Sequence, residues 1–238
     1  MNIKDKVILI TGANRGIGRA LVDEALRRGA KRVYAGTRVA FSHPDERVTP
    51  LALDVTDVSQ IREAAAKIEA LDILINNAGV AFYDDLSDRA MIERHMAVNF
   101  YGPYELSQAL LPLLIRSRGA IVNNLSIVAL APLPMIASYS VSKAAAFSLT
   151  QSQRAFLAGQ GVRVQAILTG PVDTDMNRGL DIPKTPPSVA AEGIFDGVER
   201  EEEEIFPDAM SMMMAEGWRG GAVKAFARQY GGAVGRND

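Results

Sequence analysis

Short apolar runs alternate with longer amphipathic segments along most of the chain. The runs are rich in Val, Ile and Leu without polar alternation, which is typical of parallel strands covered on both faces. They predict strands at residues 7–10, 32–35, 49–53, 73–75, 120–125 and 162–168. The longer segments predict helices at residues 17–28, 58–69, 88–98, 104–116 and 137–158. This order predicts an α/β fold with a parallel sheet between helices.

The composition changes after Gly170, where Pro, Gly and Met become frequent. Pro-Lys-Thr-Pro-Pro at 183–187 predicts a substrate loop at about 174–190, and the glutamates that follow Glu199 are interpreted as a solvated surface. A Met/Gly-rich C-terminal segment covers 205–238, with no role that the sequence indicates.

Charge and residue usage exclude several classes of protein. A net charge of -2, with no run of Lys or Arg, argues against a nucleic-acid or membrane-surface partner. The absence of cysteine excludes disulfides and thiol chemistry, and His43 and His95 alone leave little material for a zinc site, so no metal is predicted. The N-terminal apolar run is too short for a signal peptide or a spanning helix, so we expect a cytoplasmic protein.

A glycine-rich turn, Thr-Gly-Ala-Asn-Arg-Gly-Ile-Gly, follows the first predicted strand and opens a helix. Glycines there permit a tight turn and let backbone N–H groups at the helix N-terminus approach a pyrophosphate. The predicted cofactor contacts in this turn are Gly12, Asn14, Arg15, Gly16, Ile17 and Gly18. With the strand pattern, this turn predicts a single Rossmann-type doubly wound parallel sheet flanked by helices, in one dinucleotide-binding domain over residues 1–238.

The end of the second strand bears on the choice of dinucleotide. An NAD site usually carries an acidic residue there, but this chain has Thr37 and Arg38. Guanidinium groups of Arg38 and Arg15 are suited to a 2′-phosphate, to which Thr37 is predicted to add a neutral hydrogen bond, so NADP(H) is favoured over NAD(H). The alternative for each arginine is an ordinary surface charge.

Candidate chemistry lies between residues 126 and 143. Tyr139 and Lys143 are four residues apart in a predicted helix and therefore share a face. A nearby ammonium favours the phenolate, which predicts that Lys143 lowers the pKa of Tyr139 and makes it usable as an acid or base. Ser126 is expected at a strand end, where its hydroxyl can hold a substrate oxygen. Alone, the Tyr–Lys spacing also fits an ordinary amphipathic helix.

Taken together, these motifs resemble the short-chain dehydrogenase/reductase family over about residues 5–200. The matching residues, in the family's order, are Thr11-Gly-x-x-x-Gly-x-Gly, Asp54-Val55, Asn76-Asn-Ala-Gly79, Asn99, Ser126, Tyr139-x-x-x-Lys143 and Gly170-Pro171-Val172-x-Thr174. Two departures are Thr169, where proline is common, and Leu125, where a second serine is common.

The resemblance implies a role for each motif. Tyr139 is the catalytic acid/base, Lys143 also holds the nicotinamide ribose, Ser126 positions the carbonyl, and Asn99 completes a water-linked proton relay. Implied cofactor contacts are Asp54, Val55, Asn76, Ala78 and Gly79 on the adenosine side, and Pro171, Val172 and Thr174 near the carboxamide. The family also implies a homodimer or homotetramer.

The expected substrate pocket is apolar. Its walls are predicted from Ala81, Phe82 and residues 130–135 and 176–180, with Leu133 and Met176 joining Ser126 and Tyr139 as substrate contacts. No residue stands out as an anchor for a charged group, apart from the possibility of Arg178. An uncharged carbonyl or alcohol is therefore the expected substrate.

Two other functions are compatible with parts of the sequence. Ser140 and Lys143 match the S-x-x-K signature of serine acyl-enzymes, although the companion signatures are absent. An NADP(H)-binding sensor or partner-binding protein without turnover is the second alternative. Retention of Asn99, Ser126, Tyr139 and Lys143 together favours the enzyme over both.

Overall fold

A seven-stranded parallel sheet forms the framework of the protein in the computed structural model, which describes residues 1–231. The strands are β1 (Val7–Thr11), β2 (Arg32–Thr37), β3 (Val48–Ala52), β4 (Ile73–Asn76), β5 (Ala120–Asn124), β6 (Arg163–Ile167) and β7 (Glu204–Ile205). Their spatial order is β3-β2-β1-β4-β5-β6-β7. The order reverses direction between β1 and β4, which is where open α/β sheets bind ligands.

Helices cover both faces of the sheet. They are α1 (Gly16–Arg27), α2 (Val58–Lys67), α3 (Arg89–Met96), α4 (Gly102–Ser117), α5 (Ala137–Leu157), α6 (Pro187–Glu199), α7 (Ala209–Arg219) and α8 (Ala222–Gly231). Within residues 1–231, none is long and apolar enough to cross a membrane.

The hydrophobic cores on the two faces of the sheet follow from strand geometry, because successive side chains point to opposite faces. Ile8 and Ile10 of β1 pack in a core with residues of α1 and α6, whereas Leu9 packs in the other with residues of α2 and α4. All three are fully buried. The predicted doubly wound α/β fold is therefore confirmed.

In the acidic stretch after Glu199, Glu201 and Glu203 are exposed, but Glu204 departs from the interpretation as a solvated surface. Glu204 lies in β7 and is 4% exposed. Its carboxylate is 2.8 Å from Arg154 Nη1 and 2.6 Å from Lys224 Nζ, and Lys224 is itself buried. The sequence pattern missed β7 because this strand is short and its charge is neutralised by distant residues.

The C-terminal third also contains helices that the sequence did not predict. The loop expected at 174–190 ends at Pro186, because Pro187 occupies the first turn of α6, where a missing N–H costs nothing. The expected segment 205–238 contains β7, α7 and α8, and its last seven residues lie outside the part that the structure describes.

Gly18 offers a test of the turn that joins β1 to α1. A Cβ at this position would lie 2.1 Å from the Gly12 carbonyl oxygen, a contact that requires backbone movement. We expect Gly18→Ala to lower the free energy of unfolding by about 1–3 kcal/mol, measured by urea denaturation. Gly217→Ala is the matched control, since a Cβ there meets nothing within 4 Å in α7 and should add about 0.5–1 kcal/mol. Equal free energies of unfolding for the two variants would contradict the close packing of Gly18 against the Gly12 carbonyl.

Candidate active site

One cleft of about 500 Å³ lies at the carboxyl end of the sheet and brings most of the predicted site residues together. Those that line it are Gly12, Asn14, Arg15, Gly16, Ile17, Gly18, Arg38, Asp54, Val55, Ala78, Gly79, Ser126, Leu133, Tyr139, Lys143, Pro171, Val172, Thr174 and Met176. Thr37, Asn76 and Asn99 do not line the cleft.

The glycine turn has the shape that a dinucleotide phosphate requires. Gly12 and Gly16 have φ values of +65° and +54°, and a Cβ on Gly12 would lie 3.1 Å from the Ala78 Cα. Helix α1 begins at Gly16 after the extended Arg15, and no side chain caps it. Its first N–H groups are therefore available to an anion, and the turn fits a dinucleotide pyrophosphate.

At the end of β2, Thr37 and Arg38 differ in their access to the cleft. Thr37 is buried, and its hydroxyl donates to the Val39 carbonyl at 2.6 Å, so the predicted contact with a 2′-phosphate is not supported. Arg38 is exposed, lines the cleft and forms no ion pair within residues 1–231. Arg15 also lines the cleft but pairs with Asp175 at 3.2 Å. Of these two arginines, Arg38 is therefore the one without an acidic partner in residues 1–231.

Helix α5 and the turn after β5 bring the three proposed catalytic side chains to the cleft. Tyr139 and Lys143 lie one helical turn apart, and the Lys143 Nζ is 5.6 Å from the centre of the Tyr139 ring. The same Nζ donates to the Asn124 carbonyl at 2.8 Å. Ser126 has extended backbone, and its hydroxyl donates to the Thr169 carbonyl at 3.2 Å.

The pKa of Tyr139 differs from the sequence expectation. Burial raises it to about 12, and the nearby Ser126 hydroxyl acts in the opposite direction with a smaller effect. Burial also lowers the pKa of Lys143 to about 8. The net lowering of the Tyr139 pKa that the sequence predicts is therefore not seen, because desolvation of the phenolate dominates. Tyr139 is a protonated acid at neutral pH.

Asn99 lies in a π-helix, Ala97–Tyr101, between α3 and α4. Its side chain accepts from Val80 N and donates to the Val80 carbonyl and the Ser142 hydroxyl, each at 2.9 Å. Asn99 and Lys143 also line an enclosed cavity of about 10 Å³, close to the space of one water. The side chain thus holds the segment after β4, and its part in a proton relay stays a prediction.

Asn77 lines the cleft, whereas the predicted contact Asn76 does not. Asn76 is buried and donates to Asn123 Oδ1 at 2.8 Å, so its predicted adenosine contact is not supported. Asn77 lines the cleft, and its side chain donates to the Thr11 carbonyl at 2.9 Å. Strand alternation gives the reason, since β4 ends at Asn76 and the next residue points the other way.

His95 packs beside the cleft, and the sequence did not indicate this supporting position. It is fully buried, and its Nε2 accepts from Phe82 N at 3.0 Å. Because a backbone N–H can only donate, Nδ1 carries the proton and donates to the Met91 carbonyl at 2.7 Å. The His95 ring lies 5.3 Å from the Phe82 ring and 6.2 Å from that of Tyr139. It therefore supports both the pocket wall and the tyrosine.

Asp84 is a second missed residue, and it fixes the start of α5. Its carboxylate accepts from the Ser138 backbone at 3.1 Å and from the Ser138 hydroxyl at 2.8 Å. Ser138 immediately precedes Tyr139, and a negative charge is favourable at a helix N-terminus. No local sequence signal connects Asp84 with a helix that starts more than fifty residues later.

Ser140, the alternative nucleophile, does not face the cleft. It is 2% exposed, donates to the Ile136 carbonyl and accepts from Leu133 N. Because both bonds hold the Ser140 hydroxyl against backbone groups, it is not available as a nucleophile, which argues against a serine acyl-enzyme.

Comparison with known proteins agrees with this geometry. The family model described as short chain dehydrogenase matches residues 6–184. The chain is 36% identical over 205 residues to 2-(S)-hydroxypropyl-CoM dehydrogenase 3 of Xanthobacter autotrophicus, covering 79% of this chain and 80% of that protein. It is 32% identical over 197 residues to mouse estradiol 17-beta-dehydrogenase 2, covering 76% of this chain and 51% of that protein.

A solved structure extends the similarity to nearly the whole chain. A short chain dehydrogenase from Burkholderia cenocepacia, in complex with NADP, superposes with a TM-score of 0.88 at 37% identity. The match covers 96% of this chain and 98% of that one. The family model, these relatives and the shared fold show that this chain belongs to the short-chain dehydrogenase/reductase family of oxidoreductases.

Proposed function

We propose that the protein transfers hydride between NADP(H) and an uncharged ketone, aldehyde or secondary alcohol. The observation that carries this proposal is the convergence of Ser126, Tyr139 and Lys143 on a cleft that also contains the glycine turn. When bound, NADPH supplies the hydride and the protein supplies the proton. The glycine turn would hold the pyrophosphate, and Lys143 would hold the nicotinamide ribose.

In the reductive direction, Tyr139 donates its proton to the substrate oxygen as hydride reaches the carbonyl carbon. The pKa of about 12 keeps the phenol protonated at neutral pH, ready for this step. Ser126 redirects its hydroxyl proton from the Thr169 carbonyl to the same substrate oxygen, which aligns and polarises it. Lys143 lies beside the phenolate that remains and offsets its negative charge.

The preference for NADP(H) rests on charge. The end of β2 carries no carboxylate that would repel a 2′-phosphate, and Arg38 lines the cleft without an acidic partner in residues 1–231. The NADP complex of the Burkholderia protein is consistent with this choice.

The test is a panel of uncharged ketones, aldehydes and secondary alcohols with both nicotinamide cofactors. We expect loss of NADPH absorbance with at least one carbonyl compound, and a slower reaction with NADH. Tight NADPH binding without turnover across the panel would instead favour the sensor that the sequence left open.

Assembly as a homodimer or homotetramer and a cytoplasmic location remain part of the proposal. Exposed Val141 and Phe156 on α5, with Tyr104 on α4, support self-association through these helices.

A further inference from the structure

Several large apolar side chains that line the cleft are exposed to solvent. This apolar rim consists of Tyr83, Leu133, Met135, Met176, Ile182 and Met210, each between 37% and 66% exposed. The six residues come from segments that follow β4, β5, β6 and β7. Single exposed apolar residues are ordinary, but a group around one concave site marks a binding surface.

The segments that carry the rim are anchored. Asp84 N donates to the Met135 carbonyl at 3.2 Å, which joins the segment of Tyr83 to that of Met135. Asp173 N donates to the Thr185 carbonyl at 2.9 Å and closes the base of the loop that holds Met176 and Ile182. The rim is therefore preformed, so binding there costs little ordering of the chain.

The rim offers no anchor to an anionic substrate. Among residues 1–231, the cations that line the cleft are Arg15, Arg38 and Lys143. Two of them belong to the glycine turn and the end of β2, and Lys143 is buried against the Asn124 carbonyl. Arg178, which the sequence left as a possible anchor, does not line the cleft and pairs with Asp175.

We propose that the rim binds the apolar body of a bulky uncharged ketone or alcohol, while its oxygen reaches Ser126 and Tyr139. This inference rests on the proposed function and names its substrate class. Three of the six rim residues are methionines, whose unbranched side chains adapt to different shapes. The preference among substrates should therefore depend on the size of the apolar group more than on its shape.

A series of methyl ketones from butan-2-one to decan-2-one tests this inference. With NADPH, kcat/KM should rise about two- to fourfold for each added methylene that the rim covers. A keto acid with the length of the longest ketone should react at least tenfold more slowly, because its terminal carboxylate is desolvated without a partner. A flat series, or equal rates for the keto acid and the ketone, would overturn the proposal.

A matched pair of variants assigns the effect to the rim. Met135→Gln keeps the size of the side chain but makes it polar, so the decanone-to-butanone ratio of kcat/KM should fall severalfold. Met213→Gln makes the same change on α7 at a residue that is 84% exposed and outside the cleft, so the ratio should stay that of the wild type. The same ratio in both variants would contradict the assignment.

Binding measurements separate failure of the rim from failure of the proposed function. The same ketones are titrated calorimetrically into protein saturated with NADP⁺, which carries no hydride to transfer. If ketone affinity rises with chain length in this titration but no ketone is reduced in the NADPH assay, the rim is supported and the proposed reaction is refuted. If ketones are reduced with NADPH but their affinity does not depend on chain length, the proposal for the rim alone is refuted.

Discussion

Tyr139→Phe is expected to lower kcat for ketone reduction by about 10²–10⁴-fold, the usual contribution of a general acid. The substitution removes the one proton that the proposed mechanism delivers to the substrate oxygen. It keeps the ring that packs 6.2 Å from His95, so the fold and cofactor affinity should persist. Steady-state kinetics with NADPH and the best ketone measure the loss.

Tyr101→Phe is the control for this experiment. Tyr101 ends the π-helix before α4, is 55% exposed and does not line the cleft, so loss of its hydroxyl should leave kcat unchanged. Near-wild-type turnover of Tyr139→Phe would eliminate Tyr139 as the acid. A parallel loss of NADPH affinity would point to damage of the site instead.

Arg38→Leu is expected to weaken NADPH binding by about 10- to 150-fold while NADH affinity stays the same. The reason is the loss of a charge-assisted bond to the 2′-phosphate, worth about 1.5–3 kcal/mol. Arg38 alone is the sharper variant, because Thr37 is buried and substitution there would disturb packing. Fluorescence titration with each cofactor gives the two dissociation constants.

Arg89→Leu provides the comparison for general charge effects. Its side chain is 89% exposed on α3, away from the cleft, so removing it changes the net charge equally without touching the site. If Arg38→Leu weakens the binding of NADPH and NADH equally, or if the wild type prefers NADH, the 2′-phosphate does not bind at Arg38.

Local patterns were sufficient for the framework and for the centre of the site. Apolar runs predicted the six main strands, and helical spacing predicted that Tyr139 and Lys143 share a face of α5. The glycine turn was predictable because its chemistry is contained in eight consecutive residues. In each case the determining interactions are close together in the sequence.

Two kinds of error have physical causes beyond local pattern. Thr37 and Asn76 do not line the cleft because each lies at the last position of a strand, where a shift of one residue reverses the side-chain direction. His95, Asp84 and Glu204 act through partners that only the tertiary structure brings near. The pKa of Tyr139 belongs to this second group, since it depends on burial.

Asp208 joins helix α7 to the loop at Gly170, which lines the cleft. One carboxylate oxygen accepts from Ser211 N and caps α7, while the other accepts from Gly170 N at 2.8 Å. Met210, in the first turn of the same helix, contributes to the apolar rim. Exchange of residues 205–231 with the matching segment of a relative would thus change the apolar rim and the support of the Gly170 loop in a single step, so such a graft varies both features together.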